Sequence, residues 1–400
     1  MQNSMIKPLA LIFTALIFCS YLLYYPSFPD TDLDIPHPLQ PPIQLHPYHS
    51  VNLNKPQSSF EFASHQLTFG SQADYEIHEK LGKGKFGQVY LATHIPTGEK
   101  VAFKLFLNTT EAKVLKEINI LQQLKNAPNF LPIRDIIKEV GDDGIIRFAT
   151  VFDYFEAKHY RTLFPMLNKT QVKTFIYKAL QTLEYAHRRG IMHRDIKPLN
   201  VMMNENTMEV KVIDWGHSDF YFPEVHKSVR VASLHFKSPE LLLNYTVHDY
   251  SLDMWSTGCL LAEMVFLKMH FFQSDVMRPH KSGRMSKAEA KMLEFRDHLD
   301  VIASVMGSEE LREYAERYPK QMDLEILKYV GNYPKVPLKN FINEQNKHLV
   351  DDEVIDLLDK MLVYDHTKRL TAHEALQHPY FDEVRNEEAE MFLLKDAENL

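Results

Sequence analysis

His193-Arg194-Asp195-Ile196-Lys197-Pro198-Leu199-Asn200 is the most informative run of this sequence, because it combines a carboxylate, a cation and an amide within eight residues. Asp195 can accept the proton of a hydroxyl group, or at least orient that hydroxyl. Lys197 can neutralise charge on a transferred phosphoryl group, and Asn200 offers an amide oxygen to a hard cation such as Mg²⁺. The stretch therefore predicts a loop that moves a phosphoryl group onto a hydroxyl.

A second carboxylate follows in Ile213-Asp214-Trp215-Gly216. The preceding run, 210–213, has the pattern of a strand, which would deliver Asp214 at its end. Asp214 can then bind the same magnesium ion as Asn200. A turn with a capping aspartate is the ordinary alternative for Asp214 or Asp195, but the ordered set of groups argues against it.

A glycine-rich stretch, Leu81-Gly82-Lys83-Gly84-Lys85-Phe86-Gly87-Gln88-Val89, has the form Gly-x-Gly-x-x-Gly-x-Val. Glycine allows close approach of the backbone to phosphates, which side chains would block. Alone, the stretch fits a tight hairpin equally well. The next predicted strand, however, contains Val101-Ala102-Phe103-Lys104. Its Lys104 can contact the α- and β-phosphates. A lysine within a strand needs an anionic partner, and Glu117 on the next predicted helix is the natural one.

Three further residues predict how the activation segment and the catalytic loop are held. Glu240 in Ser238-Pro239-Glu240 ends the segment that follows Asp214, and Arg369 lies far downstream. A Glu240–Arg369 ion pair would attach that segment to the helical part. Asp253 would support the catalytic loop from a buried helix.

The composition is that of a globular protein with a substantial core, since 45% of the 400 residues are hydrophobic and 24% are charged. The formal net charge of −8 argues against nucleic-acid binding, which needs a basic surface. The two cysteines, Cys19 and Cys259, give no disulfide framework.

Two kinds of pattern follow each other along the chain. Strand-like alternation comes first, for example in 88–92 and 101–105. After Lys169 the spacing of apolar residues is helical, most clearly in 170–188 and 251–267. The sequence therefore predicts an α+β fold with a strand-rich N-lobe, a helical C-lobe and a cleft between them.

The chain from about Asp74 to Phe381 resembles a eukaryotic protein kinase, and more narrowly the casein kinase II catalytic (alpha) subunit. The closer likeness is carried by Gly190–Asp195, Ile213–Gly216, Val229–Ser233, Tyr250–Trp255 and His348–Val350. Trp215 is particularly specific, because most kinases place Phe there. The resemblance implies a bilobal kinase domain over 75–381, phosphorylation of Ser/Thr with ATP and Mg²⁺, activity without activation-loop phosphorylation, and pairing with a regulatory (beta) subunit.

The resemblance also implies roles for the site residues. Asp195 and Lys197 would be catalytic, and Asn200 and Asp214 would hold Mg²⁺. The nucleotide would lie against a larger set, namely Leu81, Gly82, Lys83, Gly84, Lys85, Phe86, Gly87, Gln88, Val89, Ala102, Lys104, Glu117 and Met202.

Two departures from the family concern the choice of substrate. The resemblance places Arg230 and Lys237 against the protein substrate, but Leu234 stands where a second arginine is usual. In 110–116, a lysine run that favours acidic substrates is mostly lost. Each lost cation weakens the attraction for acidic side chains beside the target residue. The sequence therefore predicts weakened acidophilic specificity.

Two other departures concern the nucleotide and an insertion. Phe86-Gly87 restores the ordinary kinase form, and Ala102 replaces a larger aliphatic residue, which should widen the purine pocket. Use of GTP beside ATP, a family trait, therefore stays open. Residues 276–298 look partly inserted and are basic, which favours a solvated loop, with a docking surface as the alternative.

The regions outside the predicted domain differ from it in composition. Residues 1–8 form a tail, and the 17 residues of 9–25 contain no charge. They are at the short end of the ~17–25 residues that span a bilayer, so we interpret them as a transmembrane anchor. A cleaved signal peptide and a soluble hydrophobic arm are the alternatives. Residues 26–70 read as a Pro-rich linker and 382–400 as an acidic tail.

The anchor predicts a single-pass membrane protein with the side of the kinase domain left open. Lys7 precedes the run, whereas Asp30, Asp32 and Asp34 follow it, which by the positive-inside rule would place the domain in the lumen. ATP and most kinase substrates are cytosolic, which slightly favours the cytosol. Without an anchor, the chain would be in the cytoplasm or nucleus.

The residues favour an active enzyme over a scaffold. A pseudokinase commonly lacks the base or a metal ligand. All the expected groups are present here: Lys104, Glu117, Asp195, Lys197, Asn200 and Asp214. The sequence therefore predicts a membrane-tethered Ser/Thr kinase, with a pseudokinase scaffold as the alternative.

Overall fold

The computed structural model describes residues 46–60, 67–84, 87–107, 109–141, 144–273 and 287–388, the side chains of 287–291 excepted. A five-stranded antiparallel sheet in the order β1-β2-β3-β5-β4 forms the N-lobe. Its strands are β1 (Tyr75–Lys83), β2 (Gly87–His94), β3 (Glu99–Phe106), β4 (Ile133–Val140) and β5 (Ile146–Asp153). Val101, Phe103 and Val151 are buried together on this sheet, because β-branched and aromatic side chains pack well on a pleated surface.

Helix α1 (Glu111–Gln123) packs beside this sheet. Val114, Ile118 and Leu121 are buried at the i, i+4 and i+7 positions that bring side chains onto one helix face. Val114 and Ile118 share a core cluster with Phe106 of β3. This apolar face therefore fixes the helix that carries Glu117.

Helices make up most of the C-lobe, as the sequence predicts. They are α2 (Tyr160–Leu163), α3 (Lys169–His187), α4 (Pro239–Leu242), α5 (Ser251–Val265), α6 (Lys287–Met306), α7 (Glu309–Glu316), α8 (Asp352–Met361) and α9 (Ala372–Leu376). A capping box between Asn168 and Gln171 starts α3. Every residue of α5 is buried, so this helix lies at the centre of the lobe. The predicted α+β class, with a strand-rich N-lobe and a helical C-lobe, is confirmed.

Two short strand pairs position the loops of the cleft. Strand β6 (Ile191–Met192) pairs with β9 (Asp219–Phe220), and β7 (Val201–Met203) pairs with β8 (Val210–Val212). Strand β6 ends directly before His193, and β8 ends just before Asp214. The strand predicted to deliver Asp214 is therefore present.

The prediction of a single-pass membrane protein needs correction. Within the part of the chain that the structure describes, no helix has the length and apolarity that crossing a membrane requires. Helix α3 has 19 residues, but it carries Lys173, Lys178 and Glu184, and charged side chains are costly inside a bilayer. The predicted membrane contact and membrane localisation are thus not supported. The predicted anchor, 9–25, lies outside the described residues.

Part of the predicted linker and part of the predicted tail pack on the domain. Residues 46–60 form turns, in which Asn52 is 2% exposed. In the tail, Glu383 pairs with Lys173, and Glu388 accepts a hydrogen bond from the Gln181 side chain. Ordered contacts therefore extend beyond both ends of 75–381.

Candidate active site

The catalytic loop 193–200 is held by one buried carboxylate, as the sequence predicts. Asp253 on α5 accepts hydrogen bonds from the backbone N–H groups of His193 at 2.8 Å and Arg194 at 2.7 Å. The ring of His187 contacts the same carboxylate at 3.0 Å. Burial raises the pKa of Asp253, but the hydrogen bond from His187 and the neighbouring histidines outweigh it and hold the pKa below its ordinary value. The loop is thus fixed through its backbone.

The loop brings together the predicted base, cation and amide. Lys197 Nζ lies 2.5 Å from Asp195 Oδ2. The Asn200 side-chain N–H donates to the Asp195 carbonyl at 2.8 Å and to Oδ2 at 3.2 Å. Because the amide nitrogen faces Asp195, the amide oxygen is the atom left for a cation. Asp195 itself is 4% exposed.

Ser233 is a member of this site to which the sequence interpretation gave no role. Its hydroxyl donates to Asp195 Oδ1 at 3.1 Å and accepts from Lys197 Nζ at 3.2 Å. In the sequence, Ser233 contributes only to the family likeness carried by Val229–Ser233. A hydroxyl that contacts both predicted catalytic side chains can orient them, and only the fold brings it across 38 positions to Asp195.

The predicted lysine–glutamate pair is formed across β3 and α1. Lys104 Nζ lies 2.6 Å from Glu117 Oε1 and 3.2 Å from Asp214 Oδ1. Burial lowers the pKa of the Lys104 ammonium, but the two carboxylates outweigh burial and raise that pKa above its ordinary value. Burial likewise raises the pKa of Asp214, but Lys104 prevails and lowers it to about 2. Both groups are therefore charged at neutral pH.

The described residues of the glycine-rich stretch lie at the end of β1 and the start of β2, which pair with each other. Gly84 N–H donates to the Gly87 carbonyl at 2.9 Å. A Cβ atom on Gly87 would lie 2.2 Å from the Leu105 carbonyl oxygen, whereas Gly82 has open space around it. Gly87 is thus required by the pairing of β2 with β3, while Gly82 leaves room for a ligand.

The other predicted nucleotide contacts are distributed over several elements. Two of them, Lys85 and Phe86, lie outside the described residues. Ala102 on β3 and Met202 on β7 are half-buried. Among these predicted contacts, Leu81 and Lys83 lie on β1, and Gln88 and Val89 lie on β2.

The two predicted substrate cations are not equivalent. Arg230 is exposed. Lys237 is 2% exposed, and its ammonium donates to the carbonyls of Val229, at 2.8 Å, and Val231. Lys237 therefore holds the loop in front of it, with its ammonium directed at that backbone.

The predicted Glu240–Arg369 pair is confirmed. Arg369 donates to both carboxylate oxygens of Glu240, at 2.7 and 2.6 Å, and both side chains are fully buried. Further donation to the carbonyls of Val363 and Tyr364 satisfies the guanidinium. A buried pair whose remaining donors are satisfied in this way fixes the geometry of the segment end.

A cluster of three cations around Asp219 was not predicted. Lys116 lies 3.3 Å, Arg194 3.2 Å and Lys227 3.4 Å from the Asp219 carboxylate. Burial raises the pKa of this carboxyl, but the surrounding cations outweigh burial and lower it. The cluster joins α1, the catalytic loop and the activation segment through one negative charge.

The segment 46–60 contacts the same elements from the N-terminal side. The Asn52 side-chain N–H donates to the carbonyls of Gly190 at 2.7 Å and Tyr221 at 2.8 Å. The Ser59 carbonyl accepts from the α1 side chains Asn119 at 3.1 Å and Gln123 at 3.0 Å. The segment therefore bridges the helix that carries Glu117 and the start of the activation segment.

The donor set suits Mg²⁺ bound together with a phosphorylated ligand. Lys104 contacts Asp214 Oδ1, which leaves Oδ2 for a cation, and Asn200 adds a neutral oxygen. Among the described residues, no group of three His, Cys, Asp or Glu side chains could hold a metal alone. Magnesium commonly binds through one or two carboxylates plus substrate phosphates, so Asp214 and Asn200 would hold it.

Comparison with protein families agrees with this geometry. The family model described as "Protein kinase domain" matches residues 75–381, which is more than half of the chain. The match covers the lysine–glutamate pair, the catalytic loop and the buried Glu240–Arg369 pair. The chain belongs to the protein kinase family.

Proposed function

We propose that this chain is a catalytically active Ser/Thr protein kinase of casein kinase II type. It transfers the γ-phosphoryl group of ATP, with Mg²⁺, to Ser or Thr hydroxyls. It does so without activation-loop phosphorylation and with a weakened preference for acidic sites. The observation that carries the proposal is Lys104 Nζ, which contacts both Glu117 and Asp214. Active protein kinases require the lysine–glutamate pair together with an aspartate placed to bind Mg²⁺.

The residues of the site divide the chemistry between them. Asp195 orients the substrate hydroxyl and takes its proton, with Ser233 and Lys197 fixing its two carboxylate oxygens. Lys197 and Lys104 supply positive charge on either side of the transferred group. Bound Mg²⁺ would neutralise charge on the phosphates, held by Asp214 and Asn200.

Activity without activation-loop phosphorylation is supported by the Asp219 cluster. Three cations that could otherwise receive a phosphate already share a carboxylate of the chain. Asn52 and Ser59 add neutral hydrogen bonds to the same elements. The elements that must be ordered for catalysis are thus held by encoded side chains.

The weakened preference for acidic substrates is supported by the positions of the two predicted substrate cations. Arg230 is exposed and can reach a substrate, whereas the Lys237 ammonium donates its hydrogen bonds to two backbone carbonyls. Leu234 supplies no charge between them. The casein kinase II type itself is supported by Trp215, whose indole packs on His193 with ring centroids 4.5 Å apart.

The test is phosphate incorporation by the full chain and by Asp195→Asn. We expect the variant to lose about 10²–10⁴-fold in turnover, because it lacks the general base, while unfolding at the same temperature. Asp382→Asn, at an exposed position, is the control. Phosphoamino-acid analysis should find phosphoserine or phosphothreonine, and phosphatase treatment should leave the activity unchanged. Full turnover by Asp195→Asn would refute the assignment, and a folded but inactive wild type would indicate a scaffold.

A further inference from the structure

Three histidines, one of them in the segment 233–237, lie together outside the machinery described above. The rings of His235 and His270 are stacked, with centroids 4.0 Å apart and an angle of 19° between their planes. His298 meets His235 edge-on at 5.6 Å. His235 belongs to the turn Leu234–Phe236, His270 to the loop after α5 and His298 to α6. The cluster thus ties the segment to two other elements.

Each ring has one buried nitrogen without a hydrogen-bond partner. These atoms are Nδ1 of His235, Nδ1 of His270 and Nε2 of His298. A neutral imidazole tolerates this, because one of its nitrogens carries no proton, whereas an imidazolium has two N–H donors to satisfy. Two stacked imidazolium rings would also repel each other. The packing therefore fits the neutral form of all three rings.

The charged groups that face the cluster do not favour protonation. Lys237 from the same segment acts on His298, and Arg161 from α2 acts on His270. Glu263 of α5 lies 3.9 Å from His270 Nδ1, and its carboxylate accepts the His270 backbone N–H at 3.1 Å. Burial raises the pKa of Glu263 to about 7, so it loses its charge in the pH range in which the histidines would gain theirs.

Burial lowers the pKa of His235 to about 4 and that of His298 to about 3, and burial lowers the pKa of His270 as well. An opened segment would restore values near 6.5, so it would bind protons that the closed segment excludes. The stability of the closed cluster is therefore complete above about pH 6.5 and is lost as the pH falls towards the lowered pKa values. Each histidine favours opening by up to about tenfold per pH unit in that range.

We propose that His235, His270 and His298 form a proton-operated latch, whose neutral rings hold the segment 233–237 closed and whose protonation releases it. Ser233 lies two residues before His235 and donates to Asp195 Oδ1, so release moves a group that contacts the catalytic base. The opening itself does not depend on the proposed function. Its consequence for substrate binding does rest on that function.

The first test is amide hydrogen exchange of 233–237 in the full chain between pH 7.5 and 5.5, corrected for intrinsic exchange rates. We expect protection to fall by about tenfold or more in the wild type, because the histidines gain protons on opening. The variant H235F/H270F/H298F keeps three aromatic rings and removes their titration. In this variant, protection should change by less than about twofold.

The second readout is the KM for a serine peptide over the same pH range. We expect it to rise on acidification in the wild type and to stay level in the triple variant. The control is H46F, which removes a histidine elsewhere whose pKa burial also lowers to about 4. H46F should keep the full pH response of 233–237.

Two results would overturn the latch: constant protection in the wild type, or an equal loss of protection in the triple variant. If the triple variant does not fold, H298F alone should reduce the pH response by up to about tenfold per pH unit, and an unchanged response would overturn the latch. A wild type whose protection falls while its KM stays level would support the latch and contradict the substrate role of the segment.

Discussion

The catalytic loop 193–200 and the segment 230–237 lie against each other but are held in different ways. The loop is fixed through its backbone, since Asp253 accepts two of its N–H groups. The segment is held by its own side chains, with Ser233 on the base and Lys237 on nearby carbonyls. The backbone of the catalytic loop therefore depends on one buried charge, whereas the segment depends on side chains that can be exchanged singly.

The largest effect should come from removing the buried charge beneath the loop. Asp253→Ala leaves two backbone donors and His187 without their acceptor, so we expect a loss of about 3–5 kcal/mol in the free energy of unfolding and a loss of turnover. Denaturant unfolding and phosphate incorporation measure the two effects. Asp359→Ala, at an exposed position of α8, should change stability by about 0.5 kcal/mol or less. A cost below about 1 kcal/mol for Asp253→Ala would contradict the comparison.

An intermediate effect should come from the support that 46–60 gives to the start of the loop. In Gly190→Ala, the new Cβ would lie 2.2 Å from Asn52 Oδ1 at a residue with φ of +73°. We expect a loss of about 1–3 kcal/mol and faster proteolysis of 46–60. Gly98→Ala is a matched control, because Gly98 has φ of +74° and nothing within 4 Å. Equal costs in both variants would show that only backbone strain matters and that the Asn52 contact contributes nothing.

The smallest effect should come from the segment and should change selectivity alone. Leu234→Arg adds a cation beside the exposed Arg230, so we expect relative kcat/KM for acidic peptides to rise about two- to fivefold, as an exposed ion pair of about 0.5–1 kcal/mol allows. Turnover on neutral peptides should be unchanged. A peptide-library assay measures the shift, with Leu234→Gln as the uncharged control. If both variants gave the same preference, charge at this position would not set specificity.

Features with a motif and a fixed order along the chain could be predicted from the sequence. The sequence predicts Glu117 as the partner of Lys104 and Asp214 as a magnesium ligand, and the structure brings both carboxylates within 3.2 Å of the Lys104 ammonium. Glu240 and Arg369 are 129 positions apart, but each lies in a recognisable motif. Spacing was informative here because the chemistry requires these groups at these places.

Features that depend on long-range packing could not be predicted. Asn52 lies in a Pro-rich stretch without apolar periodicity, and its partners are 138 and 169 positions away. The family resemblance places Lys237 against a substrate, but a sequence position does not show burial, and in the fold the Lys237 ammonium donates to two backbone carbonyls. The membrane prediction rests on the length of the uncharged run 9–25, which lies outside the described residues.

The Asp219 cluster limits how the activity of the proposed enzyme can be switched on and off over time. A phosphate on an activation segment is added by one enzyme and removed by another, so it records a recent event. The carboxylate of an aspartate residue is built into the chain during translation and is removed only when the protein is degraded. Lys116, Arg194 and Lys227 converge on such a carboxylate. The proposed enzyme therefore carries no reversible record of earlier phosphorylation at this position. Its output follows how much of it is synthesised, how fast it is degraded and which substrates it meets.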